Sequence, residues 1–151
     1  LALALRLHAE LGGDVALEHR AASDALLPEL AACGMPIILS VARSRGEQSV
    51  YGLAAQLMRL GAVVALSTDH PTARIHHLPL GAGLCLRFGA GEEAAMATIT
   101  RNAAQAMGLE ATRGCIAPGY AADLTLLDGS PLRLATAVRY TLAGGKIIYQ
   151  R

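Results

Sequence analysis

The chain has 151 residues, a formal charge of +1 from 13 Lys+Arg and 12 Asp+Glu, and 53% hydrophobic residues of which few are aromatic. Hydrophobicity at this low net charge excludes disorder, and no apolar run approaches the ~18 residues of a membrane span. A single Lys among the 13 basic residues and one Phe, four Tyr and no Trp leave neither a basic block nor a stacking surface for nucleic acid. The length is that of about one domain, and 30 Ala with 25 Leu mean a core of small and aliphatic side chains. Cys33, Cys85 and Cys115 are odd in number and far apart, which points to reduced thiols in a cytoplasmic protein rather than a disulfide framework or a zinc knuckle.

The chain opens LALALRLHAELGG with no Met and no cap, and lacks the basic start and cleavage site of a signal peptide. Leu3, Leu7 and Leu11 follow helical spacing and Gly12-Gly13 stops them, so the opening reads as the tail of a helix. Asp14–His19 is a short apolar run suited to a buried strand. Ser23 or Asp24 can cap a helix carrying Leu26, Leu27 and Leu30 that ends at Cys33-Gly34. Met35–Val41 is a second buried strand, followed by the loop ARSRGEQ. Ser49 caps a helix with Val50, Leu53, Leu57 and Leu60 inward, closed by Gly61, and Ala62–Ser67 is a third strand. Continuous apolar strands alternating with helices predict parallel βαβ units, an α/β fold. Pro71–Gly91 reads as a long loop broken by Pro79 and glycines. Glu92–Met107 reads as one helix with Met96, Ile99, Ala103 and Met107 on a shared face and Gly108 after it. Leu124–Leu127, Ala135–Leu142 and Lys146–Tyr149 read as short strands joined by DGSP and AGG turns, a small β module.

Two residues stand at strand ends: His19 after the first strand and Asp69 after the third. In parallel α/β folds ligands bind at the carboxyl ends of the strands, so both would converge on that face. Imidazole and carboxylate together suit zinc or a related divalent ion, and a carboxylate beside an activated water can take its proton. Spacing alone leaves the plainer alternative open, a hydrogen-bonded structural histidine and an aspartate that caps a turn. His70 adjoins Asp69, and Arg74, His76 and His77 lie in the loop beyond it. As neighbours, His76 and His77 are expected to diverge rather than share a metal. His8 reads as surface or packing, and Asn102 and Thr100 as packing and capping residues of the last helix.

GAVVALSTDHP (Gly61–Pro71), TRNAAQAMGLE (Thr100–Glu110), GCIAPGYAADLTLLDGSPL (Gly114–Leu132) and LAGGKIIY (Leu142–Tyr149) resemble, in order, the C-terminal part of the amidohydrolase superfamily, in its imidazolonepropionase-like branch. DVALEHR, followed about fifty residues later by STDHP, resembles that family's sixth and eighth barrel strands. The resemblance implies a partial (β/α)8 barrel, strands six to eight with their helices, over residues 1–110. It implies that residues 111–151 are the C-terminal share of a composite β-sandwich domain. It also implies hydrolysis of a C–N bond in a cyclic amide, amidine or amide by metal-activated water. His19 and Asp69 would be metal ligands, with Asp69 carrying the proton, and one or two divalent ions, zinc foremost, would be the cofactor. His70, Arg74, His76 and His77 would be substrate contacts, and the substrate a small molecule. The family's His-x-His pair, fourth-strand lysine and fifth-strand histidine have no counterpart here. The expectation is therefore that the N-terminal part of the barrel, or another copy of the chain, completes the site. The isolated chain is expected to be inactive and not to retain metal. The alternative is a noncatalytic fragment or assembly module that pairs through exposed barrel edges.

Overall fold

The computed structural model of the chain describes residues 2–12, 15–19, 26–43 and 49–151, with the backbone alone at Leu11, His19 and Arg43. Six helices and six strands occur among these residues: α1 (Ala2–Leu11), β1 (Leu17–His19), α2 (Leu27–Ala32), β2 (Ile37–Ser40), α3 (Val50–Arg59), β3 (Val64–Ser67), α4 (Leu78–Arg87), α5 (Glu92–Ala97), α6 (Arg101–Ala106), β4 (Leu124–Leu127), β5 (Val138–Ala143) and β6 (Lys146–Gln150). Two short 3₁₀ turns, Val41–Arg43 and Ile75–His77, complete them. Strands β1, β2 and β3 form a parallel sheet in that order, as the continuous apolar runs predict. The proposed caps Ser23 and Asp24 and most of the ARSRGEQ loop lie outside the described residues.

The core is one aliphatic cluster between sheet and helices. Leu27 and Leu30 of α2, Leu53 and Leu57 of α3 and Cys85 of α4 meet Ile37, Leu39, Val64 and Leu66 of the sheet. These strand residues alternate with Ile38, Ser40, Ala65 and Ser67, which therefore occupy the opposite face. Helix α3 starts where the sequence places it: the Ser49 Oγ accepts the Tyr51 N–H at 3.2 Å. Leu60 departs from the expected stripe because it is the residue that ends the helix. It is 53% exposed, and Gly61, at φ +85, reverses the chain into β3 through a conformation only glycine adopts cheaply.

The segment expected as a loop after Asp69 is largely helical. Pro79 sits in the first turn of α4, where its missing N–H costs nothing. The glycines read as breakers are instead contact points. A Cβ on Gly81 would lie 2.9 Å from Val41 Cγ1, and one on Gly83 would lie 2.9 Å from the Leu132 carbonyl oxygen. Small residues on two sides of the helix let α4 approach both the sheet and the C-terminal loop.

The single helix expected over Glu92–Met107 is two. The Thr98 Oγ1 donates to the Ala95 carbonyl at 2.6 Å and the Thr100 Oγ1 to the Met96 carbonyl at 2.8 Å. Such side-chain bonds compete with the helical ladder and bend it. Burial shifts with the break: Ala95, Ala97, Thr98 and Ala104 are inside, whereas Met107 is 73% exposed. The break also serves the sheet. The Leu66 N–H donates to the Thr98 carbonyl at 3.0 Å, and the Asn102 amide donates to the Val64 carbonyl at 2.9 Å. These contacts close part of the outer edge of β3 that the sequence reading left open, and they give Asn102 the packing role expected of it.

Strands β4, β5 and β6 form an antiparallel sheet in sequence order. Asp123 organises its base, accepting the Gly144 N–H at 2.8 Å and pairing with Arg113. Its surfaces are open: Ile147, Ile148 and Tyr149 of β6 are 59%, 66% and 47% exposed. The Ser130 Oγ donates to Glu92 Oε1 at 2.6 Å, and together with Leu132 at α4 it ties this sheet to the helices.

Candidate functional site

The parallel sheet brings the carboxyl ends of three strands together. His19 ends β1, in register with Leu39 of β2, which is itself in register with Leu66 of β3. Asp69 follows β3 by two residues. With β2 between them, the two strand ends stand roughly two strand spacings apart, about 10 Å.

The local structure around Asp69 sets it apart. Its φ is +47, and no other described non-glycine residue has a positive φ. Left-handed backbone is uncommon outside glycine and costs of order 1–3 kcal/mol where the surroundings impose it, most often at functional sites. The imposing contacts are visible. The Ser67 Oγ donates to Asp69 Oδ1 at 2.9 Å and accepts the Asp69 N–H at 3.1 Å. The Asp69 carbonyl accepts the Thr72 N–H at 2.8 Å, and the Thr68 carbonyl accepts the Ala73 N–H at 3.1 Å, closing the turn. The carboxylate is thus half-buried and aimed by its own strand.

The other candidates lie beyond this turn. His70 is exposed and joined to Pro71 by a cis peptide bond. Arg74 is exposed and precedes the 3₁₀ turn that carries His76 and His77. These two rings do not diverge: their centroids are 4.7 Å apart, edge to face at 87°. The tight 3₁₀ turn, which the sequence reading missed, holds the neighbours side by side. His8 is half-buried on α1.

Two residues near Asp69 escaped the sequence reading. Ser67 is one, although serine two residues before aspartate at a strand end is a recognisable turn pattern. Ser40 is the other; it ends β2 in register with Ser67 and is only 2% exposed. Of the thiols, Cys85 is buried and pushed up to about 11 by desolvation, chiefly, against a smaller lowering by its backbone hydrogen bond. Tyr51 is also raised, by burial first and then by Cys85. Cys33 is half-buried and Cys115 exposed. An open cleft of about 420 Å³, lined by Met58, Gly61, Val63, Asn102 and Gln105 among others, lies at the opposite, amino end of β3.

Among the described residues, no group of three or more His, Cys, Asp or Glu side chains is arranged to hold a metal ion. A catalytic zinc takes three protein ligands, so the described residues do not by themselves fit one. No helix among them is long and apolar enough to cross a membrane.

A parallel sheet with helices against it and an aspartate at a strand's carboxyl end is an α/β arrangement whose ligand side is that end of the strands. The amidohydrolase family matches residues 5–149, and the chain belongs to that family. Its curated relatives include the imidazolonepropionase of Rubrobacter xylanophilus, 38% identical over 94 residues, 60% of this chain and 22% of that protein. The imidazolonepropionase of Symbiobacterium thermophilum is 33% identical over 127 residues, 81% of this chain and 30% of that protein. Among solved structures, an amidohydrolase from Thermotoga maritima MSB8 superposes with a TM-score of 0.85 at 26% identity, covering 99% of this chain and 40% of that one. An adenosine deaminase from Xanthomonas campestris, crystallised with bound zinc, shares the fold with a TM-score of 0.68 at 18% identity, over 95% of this chain and 39% of that one. The chain therefore matches less than half the length of each of these proteins.

Proposed function

We propose that this chain is the C-terminal portion of an amidohydrolase that hydrolyses a C–N bond in a cyclic amide, amidine or amide. In this reading β1–β3 are the sixth to eighth strands of a (β/α)8 barrel formed with residues up to about 110, and β4–β6 are its share of a composite β-sandwich. The observation that carries it is the left-handed Asp69 at the end of β3, with its carboxylate held by Ser67. A carboxylate fixed in this way can accept one proton of a water whose oxygen bonds to the substrate carbon. It then delivers that proton to the leaving nitrogen as the C–N bond breaks. Ser67 keeps one carboxylate oxygen oriented throughout.

Zinc in structural neighbours supports a divalent ion, for which His19 and Asp69 would be donors. Because the described residues supply too few ligands, the remaining donors would come from elsewhere in the enzyme, and the proton path above rests on Asp69 alone. His70, Arg74, His76 and His77, grouped beyond the same strand end, would meet the substrate at the mouth of the site. The test is hydrolysis of imidazolonepropionate, the substrate class named by the relatives, by the complete reading frame that contains this chain. Asp69→Asn should lower kcat by 10²- to 10⁴-fold, the usual worth of a positioned acid–base group. Undiminished turnover in the variant would reject the assignment.

A further inference from the structure

Strands β4 and β5 are antiparallel neighbours, and about two to five residues suffice to join such a pair. Residues 128–137 join them instead, folded into a closed loop. The Asp128 N–H donates to the Ala137 carbonyl at 3.2 Å, and the Ala137 N–H to Asp128 Oδ1 at 2.8 Å. Inside the loop the Ser130 carbonyl accepts the Thr136 hydroxyl at 2.6 Å and the Arg133 N–H at 3.1 Å. Compact surface loops with their ends together are frequently functional.

Two residues of this loop lean on the helices. The Ser130 Oγ donates to Glu92 Oε1 of α5 at 2.6 Å and accepts the Leu132 N–H at 3.4 Å. Leu132 packs against the aliphatic cluster, and its carbonyl oxygen stands where a Cβ on Gly83 of α4 would come within 2.9 Å. On its inner side α4 is held by the core, where Ala82 and Cys85 are fully buried. The helix is therefore gripped between the sheet and the loop. Its first residue, Leu78, donates its N–H to the Ile75 carbonyl, so the 3₁₀ turn Ile75–His77 runs into α4 without a break. His76 and His77 ride on the free end of this rod, and His77 is about 9 Å along the axis from Gly83 at 1.5 Å per residue. A tilt of about 10° at the grip would displace the histidines by about 1.5 Å.

We propose that the loop of residues 128–137 is a positioning element of the candidate site: braced through Ser130 and Leu132, it fixes α4 and with it the placement of His76 and His77. This rests on the reading of those histidines as substrate contacts and adds what holds them in place. Rigid secondary elements carry a restraint from one end to the other, and α4 has its ends at the loop and at the strand-end site.

The imidazole resonances of His76 and His77 in the 151-residue chain, read by NMR with His8 on α1 as internal reference, test the brace. Ser130→Ala and Glu92→Ala each break the tie and should shift both rings while leaving His8 in place. Glu92→Gln keeps an oxygen to accept the Ser130 hydroxyl and should retain the wild-type shifts. In the complete enzyme the two alanine variants should raise KM for imidazolonepropionate by up to about tenfold, since restoring the histidines costs no more than the tie contributes, with kcat unchanged. Unmoved His76 and His77 rings in both alanine variants would overturn the proposal, whatever the melting temperature does. Equal shifts in Glu92→Gln would assign the effect to charge and overturn it too. Shifted rings with an unaltered KM would leave the brace standing and reject only the histidines as substrate contacts.

Discussion

Replacing Gly83 by alanine puts two effects of opposite sign in direct competition. Gly83 lies inside α4, where alanine is favoured over glycine by about 0.5–1 kcal/mol through backbone entropy alone. Its Cβ, however, would lie 2.9 Å from the Leu132 carbonyl oxygen. That neighbour is backbone, on a loop whose Ser130 is bonded to Glu92 at 2.6 Å, so it has little freedom to retreat. The helix cannot retreat either, because Gly81, two residues away and so on roughly the opposite side, has room for no Cβ: one there would lie 2.9 Å from Val41 Cγ1 and 3.6 Å from Leu66 Cδ1. Overpacking of this kind costs about 1–3 kcal/mol, which exceeds the helical gain and leaves a net loss of about 1 kcal/mol. For a chain of this size the melting temperature should fall by about 2–4 °C. Gly52→Ala in α3 is the internal control. Its Cβ would lie 3.3 Å from Phe88 Cδ1, a side chain that is 40% exposed and free to swing aside. The helical gain should survive there and raise the melting temperature. Parallel thermal melts decide between the effects: a Gly83→Ala protein as stable as wild type or more stable would refute the close approach of α4 to the C-terminal loop.

Asn102→Leu removes the amide that satisfies the Val64 carbonyl on the edge of β3, and the urea unfolding free energy should drop by about 1–3 kcal/mol. Thiol labelling in native buffer should modify exposed Cys115 quickly and spare Cys85, whose pKa is raised to about 11. A raised pKa stabilises the fold below the ordinary thiol value of 9.0, and that contribution is lost as pH climbs through 11, so Cys85→Ala should flatten the alkaline arm of a stability profile. Asp128 works in the opposite direction. The Ala137 N–H at 2.8 Å and then Arg139 hold its carboxylate below the ordinary 3.8. Its contribution is therefore present above 3.8 and lost as pH falls through the lowered value. Asp128→Asn should make unfolding less sensitive to acid, as read by melts between pH 2 and 5.

The sheet and the β module were legible because their signals are local. Val64–Ser67 and Ile37–Ser40 are short apolar runs bounded by glycine or polar turns, and β4 coincides with its expected span. Helix α4 and the break between α5 and α6 were not, because distant partners decide them. Gly81 and Gly83 look like loop residues until Val41 and Leu132 are placed against them. Thr98 and Thr100 look like ordinary helix positions until the Leu66 N–H claims the Thr98 carbonyl. The site divides in the same way. Asp69 could be picked out from its place after an apolar strand, whereas the role of Ser67 depends on a backbone turn. The approach of the His76 and His77 rings follows from a 3₁₀ turn that a loop with proline and glycine does not announce.

The central claim is that Asp69 moves the proton in hydrolysis of a C–N bond. The pH dependence of kcat for the complete enzyme on imidazolonepropionate, wild type against Asp69→Asn, tests it most directly. The account predicts an acidic limb in wild type, where protonation of Asp69 removes the base, and its disappearance together with a loss of at least about 10²-fold in the variant. The same acidic limb in both proteins, with rates alike, would contradict it.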